Sequence, residues 1–389
     1  MSNSAKLPIR ARDLGIPLSG VTGRYNSITD VPGVEVGYTT LWSGNGVLKV
    51  GEGPVRTGVT AIHPRGRTDR RPCFGGSFAL NGAGEMTGLT WLDERGLCEG
   101  PILITNTHSV GIVRDSAIRW MRQHGWSFEW TVPIVGETYD GILNDIDGHH
   151  VQERHVFDAL DAARSGPLSE GNVGGGTGMM TYEYKGGTGT SSRRLKSQDG
   201  GYTVGVLVQS NYGERQLLRI GGIHMGPSMM EAMPRFLVPN LVPETQKGRD
   251  ARWRAQSDGS IIVVVVTDAP LMPHQLKRLA KRPALAIGRL GGVGAASSGD
   301  IFIAISTANG EIREACSSNA EPSDVKIHPN LGMTALFEAA IDATEEAILN
   351  ALVAAEDAEG ANYLYVSRLP HATVKNRLSA HNLLVTTAY

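Results

Sequence analysis

The residues with the clearest chemical potential lie in RAQSDGSIIVVVVTDAPL, Arg254 to Leu271. A polar, charged run stops at Asp258-Gly259-Ser260, and six β-branched residues, Ile261 to Val266, follow without a break. A serine at that junction has two readings. In the first it is a turn residue before a strand, since Asp-Gly-Ser is ordinary turn chemistry. In the second the chain breaks between Gly259 and Ser260. Glycine has no Cβ, so the scissile carbonyl is open to approach and its peptide is strained at little cost. The neighbouring hydroxyl attacks that carbonyl in an N→O acyl shift, and water hydrolyses the ester. Ser260 then carries a free α-amine with a reference pKa of about 7.7–8.0, a base adjacent to a weak hydroxyl nucleophile. The stiff strand behind it fixes the nucleophile in place.

Other chemistry-bearing groups are less specific. The glycine-rich stretches GNVGGGTGMM (171–180) and GRLGGVGAASSGD (288–300) lack the Lys-Ser/Thr of a phosphate loop. They also lack the strand and acidic residue of a dinucleotide fingerprint, so structural loops are expected. His149, His150 and His155 show no recognisable ligand order with a carboxylate or cysteine, and no metal is expected. Thr107-His108-Ser109 invites a Ser/His pairing, but a helix-capping start explains it as well.

These residues must be positioned by a sizeable scaffold. The 389 residues suffice for one large domain or two ordinary ones. A hydrophobic fraction of 41% and a charged fraction of 20% are those of a soluble globular protein. Lys plus Arg number 37 against 39 Asp plus Glu, a net charge of −2, which argues against a nucleic-acid partner. The cysteines Cys73, Cys98 and Cys316 are odd in number and scattered, as expected for reduced thiols in the cytoplasm. No apolar signal core and no run of about 18 apolar residues is present, so neither secretion nor a membrane partner is expected.

Short β-type runs recur at 34–38, 58–62, 102–105, 132–135, 203–208, 261–266 and 301–306, bounded by turn residues. Helices are expected over Val110–Gln123, Val151–Ala163 and from Pro273, with Leu276, Leu279 and Ile287 on the apolar face and a kink at Pro283. A long helix is expected from about Gly332 to Ala358. Its apolar stripe is Leu336, Ala340, Ile341, Thr344, Ile348 and Leu352, opposite Glu338, Asp342, Glu345 and Glu346. Grouped strands and helices favour layered α+β sheets over alternating βαβ units. The polar segment Pro243 to Asp258 reads as a linker ending at Ser260.

Ordered motifs along nearly the whole chain carry a family resemblance. They are RARDLGI, NSITDVPGVEVGYTT, GSFALNGAGEMTG, PILITNTHSVGIV, PIVGETYDG, GNVGGGTGM, VGVLVQSNYG, DGSIIVVVVTDAPL and SSGDIFIAISTAN. The chain resembles the self-cleaving serine aminopeptidases that include L-aminopeptidase/D-esterase and the β-aminopeptidases. The resemblance implies an αββα sandwich like that of the N-terminal-nucleophile hydrolases, differently connected. It implies cleavage into an α subunit, 1–259, and a β subunit, 260–389, joined in one compact domain and assembled as a homo-oligomer, commonly a tetramer of αβ pairs. The activity implied is metal- and cofactor-free removal of N-terminal residues from short peptides, amides and esters.

By position, the resemblance makes Ser260 the nucleophile and Ser298 the second serine of the site. Asp300 stands where a relay carboxylate, often Glu, is found, and its shorter side chain puts the reach of that carboxylate in question. Asn211 matches the oxyanion-stabilising asparagine and Tyr139 a tyrosine lining the site. Glu137 matches the carboxylate that grips the substrate ammonium, a role that suits an exopeptidase; its bland alternative is a strand-end glutamate paired with arginine. Asn81, Gly82, Gly84 and Glu85 form a family loop read here as a structural turn. Phe128 and Trp130 are read as core packing in preference to pocket walls. Two rivals remain: an acyltransferase of the ornithine acetyltransferase type, whose nucleophile is threonine, and an uncut, non-catalytic ligand-binding member of the fold.

Overall fold

The structure, a computed structural model, describes residues 9–126, 129–238, 259–310, 312 and 322–386. The linker Pro243–Asp258, Phe128 and Cys316 lie outside the described residues. Two sheets lie at its centre. The first joins β1 (Glu35–Ser43), β2 (Val55–His63), β5 (Ile102–Asn106) and β6 (Ile134–Thr138) in that order. The second is ordered β4 (Leu97–Cys98), β3 (Cys73–Gly82), β10 (Gly299–Ser306), β9 (Ser260–Thr267), β8 (Thr203–Asn211) and β7 (Gly187–Arg194). Its pairs are antiparallel except β9 with β10, which run parallel.

The β-branched run Ile261–Val266 explains the layering. Successive strand side chains point to opposite faces. Ile262, Val264 and Val266 enter the core between the sheets with Ile62, Ile104 and Ile134. Ile261, Val263 and Val265 pack outward against a helix layer. A strand apolar on both faces is the signature of a central position, and all of β9 is buried.

Helices α4 (Pro273–Ala280) and α6 (Met333–Val353) cover the outer face of the second sheet through Leu276, Leu279, Leu336 and Ala343. Helices α2 (Val110–Gln123) and α3 (Glu153–Asp161) cover the first, with Trp120, Val156 and Leu160 over Val59, Ala61 and Leu103. The architecture is therefore an αββα sandwich. α1 (Leu89–Arg95) follows β3, and α7 (His371–Ala380) comes after α6. Pro283 does not kink one helix but opens a second, α5 (Pro283–Arg289), where its missing N–H costs nothing.

One residue assigned to a polar helix face is not there. Glu346 is fully buried, ion-paired to Arg12 at 2.9 Å and Arg193 at 2.7 Å. Helical spacing identifies a face but not the cations that another segment brings to it. Among the described residues, no helix is long and apolar enough to cross a membrane.

Candidate active site

Strand register brings the first site residues together. In the β8–β9 ladder Asn211 stands directly opposite Ser260. Gly299, the first residue of β10, donates its N–H to Ser260 Oγ at 3.0 Å. Ser298 and Asp300 flank it, and Ser298 Oγ lies 2.7 Å from Asp300 Oδ1. The short aspartate therefore does reach the serine. Ser298 Oγ also donates to the Gly259 carbonyl oxygen, the acyl side of the Gly259–Ser260 bond. Its single proton thus has two acceptors, the geometry of a relay: a proton on Asp300 frees the Ser298 hydroxyl to donate to the carbonyl. Burial raises the Asp300 pKa, opposed by hydrogen bonds from Ser298 and Asn81.

Gly259 is dictated by space. A Cβ there would lie 1.6 Å from the Asn211 carbonyl oxygen and 2.8 Å from Tyr212 Cα. The Asn211 side chain is held at both ends: Oδ1 accepts from the Met180 N–H at 2.8 Å, and Nδ2 donates to the Tyr139 carbonyl at 3.0 Å. Its amide is thereby oriented, and the second Nδ2 hydrogen has no acceptor among the described residues.

Glu137 comes from the other sheet, near the end of β6, and is only 3% exposed. Oε1 accepts from the Glu85 N–H at 2.8 Å, and Oε2 accepts from the Thr107 hydroxyl. Burial raises its pKa, with those two hydrogen bonds opposing. No lysine or arginine pairs with it among the described residues, so the arginine alternative finds no partner there. Glu137, Tyr139, Asn211, Gly259 and Ser260 line one cavity of about 430 Å³, together with Glu85, Thr107, Met180 and Glu183. Its described lining contains carboxylates but no lysine, arginine or histidine.

Comparison with known proteins matches residues 26–365 to the model of peptidase family S58. The chain belongs to this family. Membership makes it a peptidase-class hydrolase. The chain is 51% identical over 379 residues to the beta-peptidyl aminopeptidase of Sphingosinicella microcystinivorans, covering 96% of this chain and 93% of that one. A Burkholderia sp. beta-aminopeptidase structure superposes with a TM-score of 0.85 at 45% identity, covering 98% of this chain and 100% of that one. The L-aminopeptidase D-Ala-esterase/amidase of Ochrobactrum anthropi, described as a variant of the Ntn hydrolase fold, does so with a TM-score of 0.85 at 43% identity. The shares covered are 96% of this chain and 99% of that one.

Within this S58 site, sequence reasoning missed three contributors. The loop read as a plain turn supplies the Glu85 N–H to Glu137, and Asn81 Nδ2 donates to Asp300 Oδ2 at 3.1 Å. Thr107 is no cap: Asn106 Oδ1 accepts from the Ser109 N–H at 2.9 Å, and the Thr107 hydroxyl serves Glu137. A backbone donor leaves no mark in residue type, and Asn81 was visible only as a polar residue in a family loop.

Other expectations fall away from the site. Trp130 is 57% exposed and pairs with Trp91 at 4.8 Å between ring centroids, so it is neither core nor cavity wall. The Gly174–Gly178 turn packs backbone against strands; a Cβ on Gly175 would lie 2.1 Å from Gln209 Oε1. His150 pairs with Asp145 at 2.8 Å, and the His155 ring accepts from the Gln152 N–H at 3.1 Å. Among the described residues, no group of three or more His, Cys, Asp or Glu could hold a metal ion.

Proposed function

We propose that this S58 member is a serine aminopeptidase that matures by cutting its own chain between Gly259 and Ser260. Residues 1–259 and 260–389 then form the two subunits of one sandwich, and Ser260 leads the second. The observation that carries the reading is that one cavity gathers Ser260, Asn211 and a buried carboxylate, Glu137, that has no cationic partner among the described residues. A free amino terminus supplies the missing positive charge, so its ammonium docks at Glu137.

The substrate carbonyl oxygen then points toward Asn211, whose N–H supports the developing alkoxide, a donor worth roughly 3–4 kcal/mol. Ser260 Oγ attacks and its own α-amine takes the proton, with Ser298 and Asp300 relaying charge beside it. Tyr139 walls the same cavity. The leaving amine departs protonated, and water resolves the acyl-enzyme. No metal or cofactor takes part. Short peptides and amides are the substrate class. Peptides with an N-terminal β-amino residue are the first to test, because the 51% identical relative is a beta-peptidyl aminopeptidase.

N-terminal sequencing tests the reading. Active protein should yield a fragment beginning SIIVVV. Ser260→Ala should stay one chain of 41.6 kDa and lose roughly 10⁴-fold or more in kcat. Cleavage of that variant at the same bond would refute self-processing.

A further inference from the structure

One wall of the large cavity stands on a carboxylate that does not line it. Thr107, Tyr139 and Ile142 face the cavity, whereas Asp140 lies behind them, fully buried. Asp140 Oδ2 accepts from Asn106 Nδ2 and Oδ1 accepts from Asn144 Nδ2, each at 3.0 Å. Among the described residues no lysine, arginine or histidine pairs with it. Gly178 leaves it room, since a Cβ there would lie 2.8 Å from Asp140 Cβ.

Only a double acceptor fits between these two amides. Asn106 Oδ1 already accepts from the Ser109 N–H at 2.9 Å, and Asn144 Oδ1 from the Arg56 N–H at 2.8 Å. Each amide is thereby oriented with its NH₂ toward Asp140. Turning either one would set that NH₂ against a backbone N–H, donor against donor. A carboxamide at 140 would meet two donors with one acceptor and one donor of its own. Burial pushes the Asp140 pKa up to about 6, opposed by hydrogen bonds from Thr57, Asn106 and Asn144. A buried carboxylate without a cation is costly to keep, and the two segments it holds give it a purpose. Asn106 directly precedes Thr107, whose hydroxyl donates to Glu137. Asp140 directly follows Tyr139, whose carbonyl accepts from Asn211 Nδ2 at 3.0 Å. The Leu143 and Asn144 N–H groups close a turn on the Asp140 carbonyl at 3.0 Å, which sets Ile142 in the wall.

We infer that Asp140 is a positioning residue for the reaction, holding the ammonium anchor and the oxyanion amide in one fixed frame. The inference rests on the roles proposed above for Glu137 and Asn211, and adds that one buried carboxylate orients both. Through Asn106 and Thr107 it acts on Glu137, and so on binding of the free amine. Through the Tyr139 carbonyl it acts on Asn211, and so on the transition state.

Asp140→Asn tests this, with thermal unfolding to identify folded chain. Kinetics are followed on an aminoacyl-p-nitroanilide with a free amine, per mole of chain carrying the SIIVVV terminus. KM should rise and kcat should fall, each by about tenfold, the worth of a lost hydrogen bond to a charged group. The decisive measurement is a double-mutant cycle with Thr107→Val, which cuts only the arm to Glu137. In that background Asp140→Asn should change KM by no more than about twofold, because the shared path is already broken. It should still lower kcat by about tenfold, because the arm to Asn211 is intact. A merely loosened structure would multiply both losses. Asn144→Ala serves where Asp140→Asn does not fold: it frees one Asp140 oxygen from a position outside the cavity lining. It should move both constants in the same directions by about fivefold, with the same cancellation of the KM effect. Wild-type constants in the folded variants overturn the positioning role, and so does a KM loss undiminished in the Thr107→Val background. If Glu137→Gln keeps the wild-type KM, the ammonium-docking reading fails instead, and a wild-type chain with no SIIVVV terminus sinks self-cleavage. Both outcomes are read on other variants than the cycle.

Discussion

Glu137 shows how much a single side chain's surroundings decide. A carboxylate with its pKa raised by burial resists ionisation, so the folded chain favours its neutral form more than the unfolded chain does. The folded state binds this proton more tightly than the unfolded state. Stability from this group is therefore greatest at low pH and declines as pH rises through the raised value. Glutamine at 137 preserves the acceptor for the Glu85 N–H, and its amide donates to Thr107, whose hydroxyl is able to accept. Glu137→Gln should then unfold at the same or higher temperature at pH 7–8. Its KM should rise about ten- to a hundredfold, the worth of a charge-assisted hydrogen bond of 1.5–3 kcal/mol. Substrates whose amine is acylated should show no such penalty. Equal loss of stability and affinity would make Glu137 structural. Gly259-Ser260 raised the candidate nucleophile by local logic, with a plain turn as its rival, and the family motifs along the chain favoured it. Thr107, Asn81 and the Glu85 N–H were not legible in that way, because each acts through a partner far along the chain.

Secondary-structure elements repeat that division. The span of α2 was legible to the residue, and β9 nearly so, since periodicity and β-branching are properties of the segments themselves. Sheet order was not: that β9 runs parallel to β10 and antiparallel to β8 depends on which distant strands close the sandwich. The hairpin from Met180 to Lys185 is a further case. Lys185 is fully buried, and its Nζ donates to the Met179 and Gly186 carbonyls at 2.8 Å. That grip holds the segment whose Met180 N–H orients Asn211. Burial drops the lysine's pKa to about 7. The unfolded chain keeps that proton up to about pH 10.4, so the unfolded state binds more protons across the interval and stability rises with pH from 7 upward. Wild-type protein should gain a few kcal/mol from this group between pH 7 and 9.5, read as an upward shift of Tm. Lys185→Met should flatten that rise and lower kcat more than it changes KM, because Asn211 loses its orientation. A variant with the wild-type pH profile would show that the buried amine is not the titrating group.

At the scale of the whole molecule, the proposed cut raises the question of what keeps two polypeptides one protein. β9 lies between β8 and β10, so the new amino terminus would remain zipped into the second sheet on both edges. Glu346 adds a clasp of another kind. It belongs to residues 260–389, whereas its partners Arg12, Arg193 and Asn26 belong to residues 1–259. Burial alone would raise its pKa, but the Arg193 and Arg12 guanidiniums outweigh that and hold it below the usual carboxylate range. Its contribution is therefore present above the unfolded value and lost as pH falls through the depressed one. Removing one partner of a buried pair costs more than the pair is worth, because the remaining charge is stranded. Glu346→Ala leaves two guanidiniums facing an empty space, one of them, Arg193, only 2% exposed. It should cost about 3–5 kcal/mol in urea unfolding. In cut protein the two fragments should also separate at a lower urea concentration than in wild type. Ser260→Ala provides the control: in that uncut background the same substitution should lower stability without releasing any fragment. A loss below about 1 kcal/mol would place Glu346 among surface pairs, which contribute little, and would leave strand pairing as what holds the halves together.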